Sequence, residues 1–411
     1  MFSFIHTADL HLDSPLRGLS RHEGAPVKEI RGATRRALVN LVDCALEKQV
    51  NFILISGDLY DGDQKDFTTA LFFNRQMLRL KSAGILVFAI SGNHDAESVI
   101  TKALSPPDNV KFFPVKKPAS FSFPNLPVEI HGQGFANASV QENLALSYPG
   151  AISDRFNIGL LHTSLAGSAV HDTYAPCSLS DLEKKGYHYW ALGHIHQPEV
   201  IRENPWIVYP GNIQGRKINE TGVRGCSLVE VNDSLEVVSH SLVPLDVVRW
   251  SHLTIDLSEV TGEETLTSLI SSSFHEALLE VGERLLAVRL TLTGATELHG
   301  VLHADLSRWQ AQCASIAGEI DLDQLWFERL KLRTTPVYDL EELAQRDDLT
   351  ALVLEALENF SPDQKPAAVT TLENKLPPAA LSELTSLDGE DSLSEDVAAI
   401  VLHSIATSII Q

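Results

Sequence analysis

Five short polar clusters, each directly after an apolar run, constrain the fold of this chain more than any other feature of its sequence. The apolar runs are predicted to be buried strands, at residues 2–7, 52–56, 85–91, 156–161 and 187–192. The clusters that follow them are Asp9-x-His11, Gly57-Asp58, Gly92-Asn93-His94-Asp95, His162 and Gly193-His194-x-His196. Because α/β folds place their sites at the carboxyl ends of strands, we expect these clusters to form one site.

The clusters offer carboxylate, amide and imidazole groups, which are the ligand types of a two-metal hydrolytic site. Asp9 and His11 are two residues apart, as are His194 and His196, so each pair shares one face of an extended segment. Asp58 has two carboxylate oxygens with which to bridge two ions. Oxygen and nitrogen ligands without a thiolate favour Mn, Fe or Zn over a structural zinc site. Two ions ~3.5–4 Å apart can hold a hydroxide and stabilise both oxygens of a phosphoryl displacement, so the pattern predicts a metallophosphoesterase.

The order of the clusters resembles that of the calcineurin-like metallophosphoesterase superfamily over roughly residues 1–245. Three segments are similar to the SbcD-type DNA nucleases: TADLHL at 7–12, GDLYD at 57–61 and YWALGHIH at 189–196. Three more are similar to the YhaO-type branch of DNA-repair exonucleases: HTS at 162–164, YAPC at 174–177 and YPGNIQGR at 209–216. The motif set is highly specific for the superfamily and less specific for the branch.

This resemblance implies a role for each residue of the clusters. One metal would be held by Asp9, His11, Asp58 and His196, and the other by Asp58, Asn93, His162 and His194. His94 would be a catalytic histidine outside the coordination sphere, and Asp95 would orient it. The implied cofactor is a pair of divalent ions, Mn²⁺ first, with Fe or Zn as alternatives. DNA is the implied substrate, and the implied partner is an SMC-like coiled-coil ATPase of the SbcC or YhaN type.

Two positions depart from neighbouring families. Ser/Thr phosphatases of the superfamily carry a phosphate-gripping Arg where this chain has Gly62, which favours a phosphodiester substrate over a monoester. Purple acid phosphatases carry a metal-binding Tyr, and some nuclease relatives a functional His, at the position of Asp61. The role of Asp61 is therefore open. His171, which Asp172 follows, is a further candidate phosphate contact, although a loop role is favoured.

The predicted fold class is α/β (α+β), a two-sheet metallophosphoesterase sandwich flanked by helices, in residues 1–245. Helices are predicted over 27–48 and 67–82 from their apolar periodicity, and a mostly antiparallel second sheet from residue 110 onwards, with 226–231 and 235–242 as its last strands. Residues 246–337 are predicted to form a small α+β capping domain. Residues 338–411 are predicted to be an acidic helical region interrupted by prolines.

The net charge of −22 argues against a large basic footprint for nucleic acid on this chain. Half of the excess lies in residues 340–411, which hold 14 Asp or Glu against Arg346, Lys365 and Lys375. Amphipathic acidic helices there either pack on their own domain or dock the ATPase, which would supply the missing basic surface. No apolar run approaches the ~18 residues of a membrane span, and the four separated cysteines favour a reducing compartment. We expect a cytoplasmic protein without a membrane partner.

Three functions are compatible with the sequence. The first is a Mn-dependent DNA exonuclease in DNA repair, with endonuclease action left open. The alternative is a metallophosphoesterase that acts on small nucleotides or phosphoproteins, which the acidic surface favours. The third is a scaffold that retains a metal site without catalysis, against which the intact ligand set argues. Whether the chain forms a homodimer is not decided by the sequence.

Overall fold

A computed structural model describes residues 1–16, 24–61, 67–97, 105–123, 125–165 and 174–337. Gly62, His171 with Asp172, and the predicted acidic region 338–411 lie outside the described residues. The chain divides into two compact units. The first contains Met1–Ser251 and Val281–Ala287, and the second contains His252–Glu280 and the described residues from Val288 on. In the described part of the chain, no helix combines the length and the apolar composition that crossing a bilayer requires.

Fifteen strands are described. They are β1 (Phe2–Thr7), β2 (Phe52–Ser56), β3 (Leu86–Ile90), β4 (Val110–Phe112), β5 (Ala119–Ser122), β6 (Val128–Gly132), β7 (Phe156–His162), β8 (Tyr189–Gly193), β9 (Glu199–Glu203), β10 (Trp206–Tyr209), β11 (Gly225–Val231), β12 (Val237–Pro244), β13 (Val248–Asp256), β14 (Leu285–Ala295) and β15 (Leu325–Thr335). The α-helices are α1 (Val27–Arg31), α2 (Ala33–Glu47), α3 (Phe67–Ser82), α4 (Asn93–Glu97), α5 (Leu179–Glu183), α6 (Glu263–Val281), α7 (His299–Ala304) and α8 (Leu306–Ile320).

The first unit contains two six-stranded mixed sheets. One has the order β12-β11-β1-β2-β3-β4, in which β1 to β4 are parallel. The other has the order β5-β6-β7-β8-β10-β9, in which β6, β7, β8 and β10 are parallel and the two edge strands are antiparallel. The predicted two-sheet sandwich is thereby confirmed.

Two details of the predicted sheets are wrong. The second sheet is not mostly antiparallel, because its four inner strands run in one direction. In addition, β4, β11 and β12 belong to the first sheet, where β11 pairs antiparallel with β1 and places Ile5 opposite Leu228. Alternating apolar residues identify a strand but not its neighbour, and this accounts for both errors. The helix predicted over 27–48 is also divided, at Gly32, into α1 and α2.

Alternate residues of the first sheet enter two different cores, as the period of two requires. Ile5, Ile53 and Val87 pack on the side of α2 and α3. Phe4 and Phe52 face the second sheet, with their rings stacked 5.1 Å apart. Apolar runs such as Phe52–Ser56 are continuous because both faces of a parallel sheet are covered.

A three-stranded sheet has the order β13-β14-β15, and most of its residues belong to the second unit. The helices α7 and α8 are separated by Asp305. The Asp305 side chain accepts a hydrogen bond from the backbone N–H of Arg308 and thereby caps α8.

Candidate metal centre

The predicted ligands and the candidate catalytic pair lie at the carboxyl ends of five parallel strands. Three of these strands, β1, β2 and β3, belong to the first sheet, and two, β7 and β8, belong to the second. The structure brings all nine predicted site residues to the region where these ends converge. They are Asp9, His11, Asp58, Asn93, His94, Asp95, His162, His194 and His196.

Left-handed backbone conformations are concentrated among the predicted ligands. Asp9, His11, Asp58 and His194 all have positive φ, at 51°, 41°, 53° and 100°. Such conformations cost ~1–3 kcal/mol each outside glycine and persist only where the surroundings enforce them. Here two backbone hydrogen bonds connect the loops after β1 and β2. Asp9 N–H donates to Gly57 O and His11 N–H donates to Asp58 O, each with an N···O distance of 3.0 Å.

The glycine before Asp58 is required by close packing at the site. Gly57 has a φ of 97°, and a Cβ there would lie 2.4 Å from His162 Nδ1. A residue with a side chain would therefore displace the ring of a predicted ligand as well as strain the backbone.

One group of candidate ligands contains Asp9, His11 and His196, whose ligand atoms all lie within 4.8 Å of one another. The Nε2 atoms of His11 and His196 face each other at 3.2 Å. Each ring also bonds a carboxylate through its other nitrogen: His11 Nδ1 donates to Asp61 over 2.7 Å, and His196 Nδ1 donates to Glu220 over 2.9 Å. With protons on both Nδ1 atoms, both Nε2 atoms carry lone pairs.

This donor arrangement fits a metal cation. Burial and the nearby Arg216 lower the pKa of His11 to about 4, although the hydrogen bond to Asp61 opposes them, so the ring is neutral at neutral pH. The lone pair of His11 Nε2 therefore faces His196 Nε2 at 3.2 Å, and a cation between the two nitrogens would bond to both. The buried carboxylates of Asp9 and Asp58 are also close to each other, and a cation offsets their charges.

A second group contains Asp9, Asp58 and His162. His162 Nε2 lies 3.5 Å from Asp58 Oδ2 and 3.0 Å from Asn93 Oδ1, while its Nδ1 donates to Ser56 O over 2.9 Å. Burial lowers the pKa of His162, but the charges of Asp58 and Asp9 outweigh it and raise the pKa to about 9. His194 joins this side of the site, because its backbone N–H donates to the Asp9 carboxylate and its ring packs edge-on against that of His162.

Asp58 belongs to the second group and also lies close to His11 of the first. Its Oδ2 is 3.8 Å from His11 Nε2 and 3.5 Å from His162 Nε2. Its Oδ1 accepts a hydrogen bond from the backbone N–H of His94 over 3.0 Å, which sets the orientation of the carboxylate. The geometry matches the bridging role that the sequence suggested, which remains a proposal.

His94 forms a further candidate ligand group with His11 and Asp58. It is more exposed than His11, His162 and His196, with 43% of its side chain accessible. Its Nδ1 lies 3.4 Å from Asp61 Oδ1. The Asp95 carboxylate is buried and accepts hydrogen bonds from the backbone N–H groups of Leu59, Tyr60 and Gly92. Burial and the charge of Asp58 raise the pKa of Asp95 to about 7, against these hydrogen bonds.

Asp95 joins the loops after β2 and β3, and a carboxylate beside the His94 ring belongs to Asp61. That Asp95 orients His94 through these loops stays a prediction. Sequence reasoning also left Glu220 and Arg216 without a role at the site. Arg216 belongs to a segment singled out by resemblance, whereas Glu220 lies in a loop that carries no periodic pattern.

Comparison with known proteins identifies the family. The calcineurin-like phosphoesterase profile matches residues 2–198, and the profile of the middle domain of the metallophosphoesterase YhaO matches residues 250–335. The metallophosphoesterase YhaO of Bacillus subtilis (strain 168) is 36% identical over 296 residues, which are 71% of this chain and 72% of that protein. The chain belongs to the YhaO branch of the calcineurin-like metallophosphoesterases.

More distant relatives of this metallophosphoesterase are proteins named for the repair of DNA double-strand breaks. The repair protein Mre11 of Sulfurisphaera tokodaii is 25% identical over 247 residues, 54% of this chain and 59% of that protein. Mre11 of Saccharolobus solfataricus is 26% identical over 308 residues, 69% of this chain and 76% of that protein. The predicted superfamily and branch are confirmed. The chain is therefore a hydrolase of phosphate esters, and its structure contains groups of candidate metal ligands.

Proposed function

We propose that this metallophosphoesterase is a two-metal phosphodiesterase that cleaves DNA, a Mn²⁺-dependent exonuclease of DNA repair. The observation that carries the proposal is the paired imidazole arrangement, in which the Nε2 atoms of His11 and His196 face each other 3.2 Å apart beside Asp9 and Asp58. A monoester-gripping Arg is missing from the sequence at Gly62, which favours a phosphodiester. The Mre11 relatives, named for DNA repair, support DNA as the diester.

The ligand assignment follows the two groups. Asp9, His11, Asp58 and His196 would hold one ion, and Asp58, Asn93, His162 and His194 the other. When bound, the metal pair would supply a nucleophile at neutral pH and Lewis-acid stabilisation of the phosphate oxygens. His94 is accessible beside the ligands and is proposed to contact the scissile phosphate and to assist the departing oxygen. Asp95 holds the loops that carry Asp58 and His94.

The acidic charge of the chain leads us to propose a partner. An SMC-like coiled-coil ATPase of the SbcC or YhaN type would supply the basic surface for duplex DNA, docked on residues 338–411, in the cytoplasm. Within this proposal, residues 1–245 form the nuclease domain and residues 246–337 the capping domain.

One observation favours a second candidate. A net charge of −22 repels long nucleic acid but leaves small substrates accessible, so hydrolysis of small nucleotides or phosphoproteins is the alternative.

A substrate panel separates the two candidates. Purified full-length protein with Mn²⁺ is offered end-labelled linear duplex DNA, single-stranded DNA, circular DNA and a phosphomonoester dye, with the metal chelated in the control. The proposal predicts shortening of linear DNA from an end and slow turnover of the dye. Rapid turnover of the dye without DNA cleavage would establish the alternative.

A further inference from the structure

Two carboxylates that the family assignment leaves without a role contact the outer nitrogens of His11 and His196. Asp61 Oδ1 accepts from His11 Nδ1 over 2.7 Å, and Glu220 Oε1 accepts from His196 Nδ1 over 2.9 Å. The Nε2 atoms of the same rings meet at 3.2 Å on the other side. The two imidazoles are thus arranged as a matched pair, each with a carboxylate behind it.

Arg216 connects the two carboxylates. Its Nη1 lies 3.6 Å from Asp61 Oδ2, and its Nη2 donates to Glu220 Oε1 over 3.3 Å. The Arg216 backbone N–H and the Asn212 side chain both donate to Glu220 Oε2, over 2.7 and 2.9 Å. Every Glu220 oxygen therefore has a partner, and the carboxylate has one orientation in which it can reach His196.

This cluster of Asp61, Arg216 and Glu220 is shielded from water. The side chains of the three residues are 12%, 14% and 5% exposed. Hydrogen bonds to charged groups in such surroundings contribute more than they do at the surface. A contact of this kind holds an imidazole in one tautomer and one ring orientation.

We propose that Asp61 and Glu220 are positioning residues that keep His11 and His196 protonated on Nδ1, with both Nε2 lone pairs directed at one metal ion, and that Arg216 holds the two carboxylates in place. The inference rests on the metal centre of the proposed function but not on its substrate. His94 is a second neighbour of Asp61, at 3.4 Å, but the 2.7 Å contact to His11 is the stronger hydrogen bond.

The network makes a quantitative prediction for metal binding without any substrate. Loss of such a contact lowers metal affinity by ~10–100-fold. We expect that loss for Asp61→Ala and for Glu220→Ala, measured by calorimetric titration of the full chain with Mn²⁺. Asp61→Asn and Glu220→Gln retain an oxygen acceptor and should recover part of the Mn²⁺ affinity that the alanine variants lose. Arg216→Ala should weaken binding less than either alanine variant, because both carboxylates remain to accept from the imidazoles.

Asp13 provides the matched control. It is a carboxylate two residues after His11, but its partners are Arg35 and the hydroxyl of Thr69, not an imidazole. Asp13→Asn should leave Mn²⁺ affinity unchanged even if it lowers the melting temperature. Thermal unfolding of every variant without metal separates loss of folding from loss of positioning.

A second measurement tests the tautomers in the metal-free protein. Long-range ¹H–¹⁵N spectra of protein labelled with ¹⁵N-histidine distinguish Nδ1–H from Nε2–H rings. The wild type should show His11 and His196 as Nδ1–H, and Glu220→Ala should give His196 a mixture of both forms. Unchanged Mn²⁺ affinity in folded alanine variants, or Nε2–H rings in the wild type, would overturn the inference. Failure to cleave DNA would instead count against the proposed substrate alone.

Discussion

At the scale of single residues, Asp58 holds the central position of the site. Because its Oδ2 lies within 4 Å of both His11 Nε2 and His162 Nε2, we propose that this one carboxylate serves both ligand groups. We therefore expect Asp58→Asn to lose both ions, whereas His11→Ala should retain the ion on the side of His162. Metal content per chain, measured on both purified variants, shows whether Asp58 is a ligand of both ions or of only one. Two ions per chain in Asp58→Asn would disprove the bridge.

Substitution of His94 distinguishes an effect on metal and DNA binding from an effect on turnover. Its side chain borders the ligands but is proposed to lie outside the coordination sphere, so His94→Gln should keep the metal stoichiometry and DNA binding of the wild type. Turnover should fall by ~10²–10⁴-fold, the usual effect of losing a general acid or a charge-stabilising group. Because His94 also forms a possible ligand group with His11 and Asp58, metal analysis is the critical control. Loss of an ion would make His94 a ligand.

The raised pKa of His162 predicts coupling between protons and metal. In the metal-free protein this ring holds a proton up to about pH 9 and has no lone pair on Nε2 to give. Metal binding at pH 7 must therefore release a proton, and Mn²⁺ affinity should rise with pH and level off above about 9. Titrations in buffers with different heats of ionisation measure the protons released. Affinity that does not change between pH 7 and 9 would contradict this account.

The stability of the metal-free fold changes with pH in the opposite direction to the Mn²⁺ affinity. A histidine with a raised pKa in the folded state stabilises the metal-free fold fully below its ordinary pKa of 6.5, and the contribution disappears as the pH rises through about 9. Metal-free protein should therefore lose part of its stability between pH 6.5 and about pH 9, the range in which its Mn²⁺ affinity rises.

At the scale of strands and loops, the sequence predicts where strands end better than which strands are neighbours. Polar residues directly after apolar runs mark strand ends, and the strands β1, β2, β3, β7 and β8 all end at the predicted clusters. The neighbours of β11 and β12 were not predictable, because an alternating strand shows which residues are buried but not which strand it pairs with. Glu220 was missed for a related reason, since a loop residue is brought to His196 only by the completed fold.

Gly57, which lies between β2 and Asp58, gives a test for which Gly84 is the matched control. Gly57 and Gly84 both have positive φ, but an added Cβ would lie 2.4 Å from His162 Nδ1 at Gly57 and would meet nothing within 4 Å at Gly84. Gly84→Ala should cost ~1 kcal/mol of stability from backbone strain and leave Mn²⁺ affinity intact. Gly57→Ala should lower both. Equal Mn²⁺ affinity in the two variants would show that the His162 ring tolerates displacement.

At the scale of the whole molecule, charge is divided unevenly along the chain. Residues 340–411, the region proposed to bind the ATPase, hold half of the net negative charge. We expect a chain without residues 340–411 to bind two metals and cleave short single strands but to lose the ATPase in pull-down experiments. Partner retention by the shortened chain would refute the docking proposal. An insoluble product would favour packing of this region on its own domain.

The central claim is a pair of metal ions bridged by Asp58 at the point where the two sheets converge. Anomalous diffraction from a crystal of the full chain soaked in Mn²⁺ tests it directly. The account predicts two peaks ~3.5–4 Å apart with the Asp58 carboxylate between them, one of them in contact with Nε2 of both His11 and His196. A single peak, or two peaks of which neither contacts Asp58, would contradict it.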